Sequence, residues 1–144
     1  MTIRLQSTVK GQMKEVFEAF DESLFRYLLP PGAKLIRFDG SSPGNIVHLQ
    51  FPLGLEWISE ITSEEIQATH CYFIDVGVKL PAPLRDWKHT HHVVLESQDM
   101  SRIIDEMQFS SGYKLADLLL YPLLFLAFLP RVYQYKKYFS SLNS

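Results

Sequence analysis

The stretch that decides the fold is WKHTHHVVLESQDMSRIIDEMQF, residues 87–109. Successive side chains of a strand point to opposite faces of its sheet. Trp87, His89, His91, Val93 and Leu95 therefore share one face, and Lys88, Thr90, His92, Val94 and Glu96 the other. Charged Lys88 and Glu96 opposite Val93 and Leu95 make the odd face the inward one. In the second half, Ile103, Asp105, Met107 and Phe109 share a face opposite Arg102, Glu106 and Gln108. Two inward faces agree across a hairpin only if the loop holds an odd number of residues. With Ser97-Gln98-Asp99 as that loop, His89 faces Met107 and His91 faces Asp105. The spacing predicts a His91–Asp105 contact on the concave face, where an unpaired carboxylate would be costly.

The same period of two runs outward through most of the chain. Residues 2–10 alternate as a half-buried strand ended by Gly11, and strands are expected near 34–39, 45–52, 55–62, 65–77, 86–97 and 101–109. Turn signals separate them: SSPG, Pro52-Leu53-Gly54, TSEE, PAP and SQD. Between the first two strands, Met13, Val16, Phe17 and Phe20 have helical spacing over 12–20, and a second short helix covers 22–29 before Pro30-Pro31-Gly32. The order is one strand, two helices and six strands, then a long apolar helix over 115–142. Strands joined by tight turns are antiparallel. No linker or internal repeat interrupts the 144 residues, so they read as one domain of α+β class.

A sheet with one apolar face must cover it, and only the final helix is long enough. Leu115, Leu118, Leu119, Pro122, Phe125, Leu126 and Leu129 are taken as its inner face. Tyr121, Leu124 and Phe128 on the other side are apolar too, so that side also needs a cover. The uncharged run 118–130 spans roughly 20 Å as a helix, short of the roughly 30 Å of a bilayer core. It reads as a buried helix rather than an integral span.

Composition narrows the function classes. A net charge of −2 without any Lys or Arg block argues against a nucleic-acid surface. Cys71 is the only cysteine, which excludes an intrachain disulfide and fits a cytoplasmic protein; the first twenty residues lack the apolar run of a signal peptide.

In β-phase, His70 and Tyr72 follow Ile66 and Ala68 and are expected inward, with Cys71 outward. Leu55, Trp57, Ser59 and Ile61 are expected inward on the preceding strand. His48 and His92 face outward. The concave face then combines aromatic and aliphatic side chains with a few convergent polar ones, as small-molecule pockets do.

The element order, and Trp87, His89 and His91 followed by Ser101, Ile103, Asp105, Met107 and Phe109, resemble the SRPBCC superfamily of START-like, polyketide-cyclase-like and plant-allergen-like helix-grip proteins. The likeness is strongest to its small bacterial ligand-binding branch. It implies a seven-stranded antiparallel sheet gripping the C-terminal helix, two small helices closing one end, and a cavity for a hydrophobic molecule. Two features depart from the pattern: Ser101 stands where Thr is usual, and Ser111-Gly112-Tyr113 replaces a common Pro-x-Gly before the last helix.

The leading reading is binding of a lipid, polyketide or similar ligand without catalysis. Trp57, Tyr72, Trp87, Met107 and Phe109 would line the sheet side, and Leu118, Pro122, Phe125 and Leu129 the helix side. His70, His89, His91 and Asp105 would orient a polar group of the ligand. A second reading makes His91 and Asp105 the general base of a cyclase or dehydratase. A third is a homodimer through the apolar helix with no cavity. His89 and His91, with His70 or Asp105, have the spacing of a metal chelate, but no further ligand motif is evident, so no metal and no cofactor is assigned. Tyr133, Tyr135, Lys136, Lys137 and Tyr138 read as a solvated helix end.

Overall fold

A computed structural model describes residues 1–143. Seven strands run β1 Thr2–Lys10, β2 Lys34–Phe38, β3 Ile46–Gln50, β4 Glu56–Ile66, β5 His70–Lys79, β6 Asp86–Leu95 and β7 Met100–Ser110. Helices α1 (Met13–Glu18) and α2 (Glu22–Leu28) follow β1, and α3 (Lys114–Phe128) and α4 (Pro130–Leu142) close the chain. All neighbours are antiparallel, in the spatial order β1-β7-β6-β5-β4-β3-β2. This is the expected helix-grip architecture, a curved sheet around a long C-terminal helix.

The β6–β7 register is the one the loop count requires, with His89 opposite Met107 and His91 opposite Asp105. Ser101, at the start of β7, donates from Oγ to the Gly11 carbonyl at 2.8 Å. Gly11 sits at φ +136°, a region that favours glycine, and its N–H donates to the Asp99 carbonyl at 2.8 Å. The hydroxyl thus ties the β6–β7 turn to the exit of β1. Before α3, Asp117 accepts from the Ser111 N–H and from Ser111 Oγ, both at 2.6 Å, around Gly112 at φ +91°. These bonds hold the Asp117 carboxyl below the usual carboxylate range and seat the start of the helix.

One strand boundary differs from the expected one. TSEE is not a turn. β4 continues through it to Ile66 with an irregularity between Ile61 and Ser63, and the reversal falls at Ala68-Thr69, where the Gln67 N–H donates to the His70 carbonyl. Ile66 pairs with Cys71, so four residues intervene and strand phase cannot be carried straight across. The inward residues of β5 are therefore Cys71, Phe73 and Asp75, all buried. His70 and Tyr72 lie on the outer face, correcting the inward placement expected for them and the outward one for Cys71. Burial pushes the Cys71 thiol pKa up.

The last helix is also turned from its expected orientation. Its backbone stays helical through Leu129. By length and composition, 114–142 could cross a membrane, yet Leu124, Tyr135 and Phe139 are buried against the sheet. Continuing the expected face of Leu118, Pro122, Phe125 and Leu129 leads to Tyr133, Lys136 and Lys137, which are exposed. The stripe Leu124, Phe128, Val132, Tyr135 and Phe139 stays apolar to the end and is the one that packs inward. Leu115, Leu118, Leu119, Leu123 and Leu126 are consequently exposed.

Candidate functional site

The helix does not cover the sheet evenly. Toward β1 and β7 it makes direct contact: Ser7 Oγ donates to the Val132 carbonyl at 2.8 Å, and Ile3, Leu5, Met107 and Phe109 form a close-packed cluster with Leu124. Toward β3, β4 and β5 the curved sheet falls away from it and leaves a cavity of about 320 Å³. Its sheet wall carries Val47 and Leu49 of β3 and Trp57, Ser59 and Ile61 of β4. Phe25, Leu28 and Leu29 close it from α2, and Leu124, Ala127 and Phe128 from the helix. Trp57 and Trp87 meet edge to face at 4.7 Å, and Trp87 stacks on Phe128.

The cavity side chains are apolar except where Ser59, Asp75, His89, His91 and Arg131 meet. His89 and His91 point from the same face of β6 and stack with ring centroids 3.7 Å apart. They stand between two carboxylates, Asp75 on β5 and Asp105 on β7. His89 Nε2 donates to Asp105 Oδ1 at 2.8 Å, and His91 Nε2 donates to Asp75 Oδ2 at 2.7 Å. The other ring nitrogens face the opposite acids: His89 Nδ1 lies 3.8 Å from Asp75 Oδ2 and His91 Nδ1 lies 3.6 Å from Asp105 Oδ1. His91 Nδ1 is buried without a hydrogen-bond partner, as is Arg131 Nη1, which stands 4.0 Å from Asp105 Oδ1. The Arg131 guanidinium also lies 4.8 Å over the Phe128 ring. Tyr135 donates from its hydroxyl to Asp105 at 3.4 Å.

Electrostatics follow from burial and these partners. Burial pushes the Asp105 carboxyl up, but the His89 bond and the charges of His89 and Arg131 outweigh it and keep Asp105 ionised. Asp75 is likewise held below the usual range against its burial, by His91 and His89 and by a Ser59 hydrogen bond. Burial, then the neighbouring His89, lowers His91 to about 4, so it is neutral at pH 7. Burial, then the Asp105 charge, raises the Tyr135 phenol.

Of the residues expected from sequence, Trp57, Trp87, His89 and His91 reach the cavity wall together. Asp105 is 2% exposed and lies behind His89, bonded to it rather than to His91. The expected His91–Asp105 contact is present at 3.6 Å, but the hydrogen bonds cross, because the inward Asp75 offers His91 a nearer acceptor. Met107 and Phe109 fill the closed side beneath the helix instead of the cavity. Leu118, Pro122 and Leu129 are exposed on the outer side of the helix, and Phe125 packs against Tyr121 rather than lining the space. His70 and Tyr72 pair outside the sheet, with His92 at 2.8 Å and Glu65 at 2.6 Å respectively. His48 and His92 also face outward, as expected.

Sequence reasoning missed Asp75, Arg131, Tyr135 and Phe128. Asp75 was hidden by the misplaced β4–β5 turn. Phe128 and Tyr135 belong to the helical stripe that remains apolar through 139, a signal present in the sequence, whereas Arg131 is a charge beside that stripe with no such signal.

No protein-family model matches the chain, and no curated protein matches it in sequence. Solved structures do match in shape. XoxI from Bacillus cereus superposes with a TM-score of 0.73 at 16% identity, covering 99% of this chain and 98% of its own. A norcoclaurine synthase point mutant from Thalictrum flavum, solved in complex with a transition-state analogue, gives 0.75 at 15%, covering 100% and 96%. The Zhui aromatase/cyclase of a Streptomyces species gives 0.72 at 10%, covering 93% and 90%. The chain shares the helix-grip fold of these structures. At these identities the likeness is one of fold.

Proposed function

We propose that the protein binds a small hydrophobic molecule, a lipid, polyketide or similar compound, in the cavity between β3–β6 and the C-terminal helix, and holds it without transforming it. The observation that carries this reading is the chamber of about 320 Å³, apolar on most sides and polar at one end, where Ser59, Asp75, His89, His91 and Arg131 meet. Its size falls at the small end of the range of about 300–1,000 Å³ typical of ligand pockets. The apolar walls supply burial, and the polar end orients one oxygen-bearing group of the guest.

The test is displacement of an apolar fluorophore, with native mass spectrometry to find a retained guest. Leu49→Trp, which fills the space from β3 without touching the polar end, is expected to abolish binding. Unchanged binding in that variant would overturn the reading. A general-base role for the His–Asp cluster is the second reading, supported by the buried carboxylates bonded to imidazoles at the cavity wall. It requires turnover of an enone or polyketide that Asp75→Asn removes while binding persists. The bare leucines of α3 support a homodimer as a separate property, which a concentration-dependent mass would reveal and Leu119→Glu would suppress.

A further inference from the structure

The geometry points to a divalent transition-metal site at the polar end of the cavity, with Asp75, His89 and His91 as its protein ligands. We infer that it takes zinc or a similar borderline ion and leaves one coordination position open to the cavity. One donor atom from each residue lies within 4.8 Å of the others. Asp75 Oδ2 is 2.7 Å from His91 Nε2 and 3.8 Å from His89 Nδ1. A tetrahedral site with bonds of about 2.0–2.1 Å needs ligand atoms roughly 3.3 Å apart, midway between these separations.

Hydrogen-bond accounting supplies the second argument. A neutral imidazole has one N–H and one lone pair, and a carboxylate only accepts. His89 carries a hydrogen on Nε2 to bond Asp105; in the neutral form of the ring its Nδ1 turns a lone pair toward the Asp75 oxygen. His91 bonds Asp75 through Nε2–H, which leaves Nδ1 as a buried lone pair facing the Asp105 oxygen, with no donor. In that form two buried lone pairs confront two carboxylates. A cation bound to the Asp75 carboxylate removes both conflicts. It takes the Asp75 oxygen and the His89 Nδ1 lone pair directly. If the His91 proton moves from Nε2 to Nδ1, Nε2 becomes the third ligand and Nδ1–H turns to Asp105. Asp105 then accepts from both ligand imidazoles, the supporting role that carboxylates play behind metal-bound histidines. Ser59 also hydrogen-bonds Asp75.

The ligand class follows, and this part rests on the cavity reading above. At the polar end two aspartates outnumber the single Arg131 guanidinium, which disfavours an anion. With a divalent ion held by two imidazoles that are neutral as its ligands, the same groups sum to one net positive charge, beside an Arg131 Nη1 that has no hydrogen-bond partner. The metal-loaded cavity is therefore built for an apolar molecule ending in a carboxylate or another anionic oxygen.

The test uses the full chain after chelator treatment, first with metal salts alone. Zinc chloride titration is expected to show one equivalent bound. Ring-nitrogen NMR should then place the metal on Nδ1 of His89 and Nε2 of His91, with His48, His70 and His92 unmoved. This readout needs no variant. Asp75→Asn should weaken zinc at least tenfold, and Asp105→Asn by roughly 10–100-fold. His92→Asn, which breaks the outer-face histidine pair, should leave affinity unchanged. No stoichiometric uptake, or uptake that follows His70 and His92, overturns the site. A second arm compares decanoate with decanol. Decanoate should gain at least tenfold from zinc and decanol nothing. Equal response overturns the ligand class alone, and binding of neither chain overturns the cavity reading while leaving the metal result intact.

Discussion

The sheet carries two histidine pairs, one on each face, and they behave as opposites. His70 and His92, on neighbouring strands of the outer face, stack with centroids 5.0 Å apart and bond each other at 2.8 Å. Each ring answers the other, and water reaches both. His89 and His91 lie on one strand of the inner face, stacked at 3.7 Å, with their nitrogens directed sideways at acids on the two flanking strands. That pair cannot satisfy itself. Its order depends on Asp75, Asp105, Arg131 and Tyr135, drawn from β5, β7 and α4. The difference teaches that strand phase decides whether an imidazole is a surface ornament or part of a buried charge network.

The sharpest way to break the comparison is to remove the inner network's shared acid. Asp105→Ala leaves His89 without its acceptor and the Arg131 guanidinium without its counter-charge, both in the interior. Breaking a buried pair from one side costs about 3–5 kcal/mol. Urea unfolding should show that loss, and a midpoint shift as small as that of an outer-face substitution would mean that water already screens the cluster.

Acid should separate the pairs next. In chelator-treated protein His91 stays neutral down to about pH 4, whereas the unfolded chain protonates it near 6.5. Between those values the unfolded state binds more protons, so stability falls as pH drops through this window, by a few kcal/mol in all. The groups facing His91 are Asp75, His89 and Asp105, with apolar Phe20, Phe25 and Phe73 around its ring. Asp75 and Asp105 add their own losses at lower pH, because both are held below the usual carboxylate range. Urea midpoints at pH 7 and pH 4.5 measure the effect, and equal midpoints would show that residue 91 is protonated alike in both states.

A smaller effect belongs to Tyr135, 1% exposed, whose hydroxyl reaches Asp105 at 3.4 Å. Tyr135→Phe keeps the ring and removes one long bond to a charged group. A loss of roughly 1 kcal/mol is expected in the same unfolding assay. A loss as large as that of Asp105→Ala would make the phenol, rather than the imidazoles, the main support of the buried acid.

What was legible in the sequence tracks how local each signal is. The 87–109 hairpin could be read to the residue because its odd loop and its two alternating strands agree with each other. Element order and helix-grip class followed from the same alternation. The reading failed where a strand irregularity near Thr62 let β4 run through polar TSEE, since alternation cannot count a residue that a bulge inserts. That single slip exchanged His70 and Tyr72 for Phe73 and Asp75 on the inner face, and so concealed the second acid-bearing strand of the site. The helix face was misjudged for a different reason. Nearly every position of 115–129 is apolar, so its period is uninformative there, and only the later turns, with Lys136 and Lys137 on one side and Tyr135 and Phe139 on the other, fix the rotation.

The smallest predicted effect tests the outer pair itself. His70→Asn removes one of two rings that bond only each other, half-buried at the sheet surface, and Asn keeps a polar group there. Substitutions at such positions usually change stability by less than about 0.5 kcal/mol. The urea midpoint should barely move, and apolar-fluorophore binding in the cavity should be unaltered, because the sheet lies between the two faces. A change in fluorophore binding would mean that the strands transmit the outer contact to Asp75 and His91 on the inner side. The two histidine pairs would then be one coupled unit, and the contrast between them would fail at its premise.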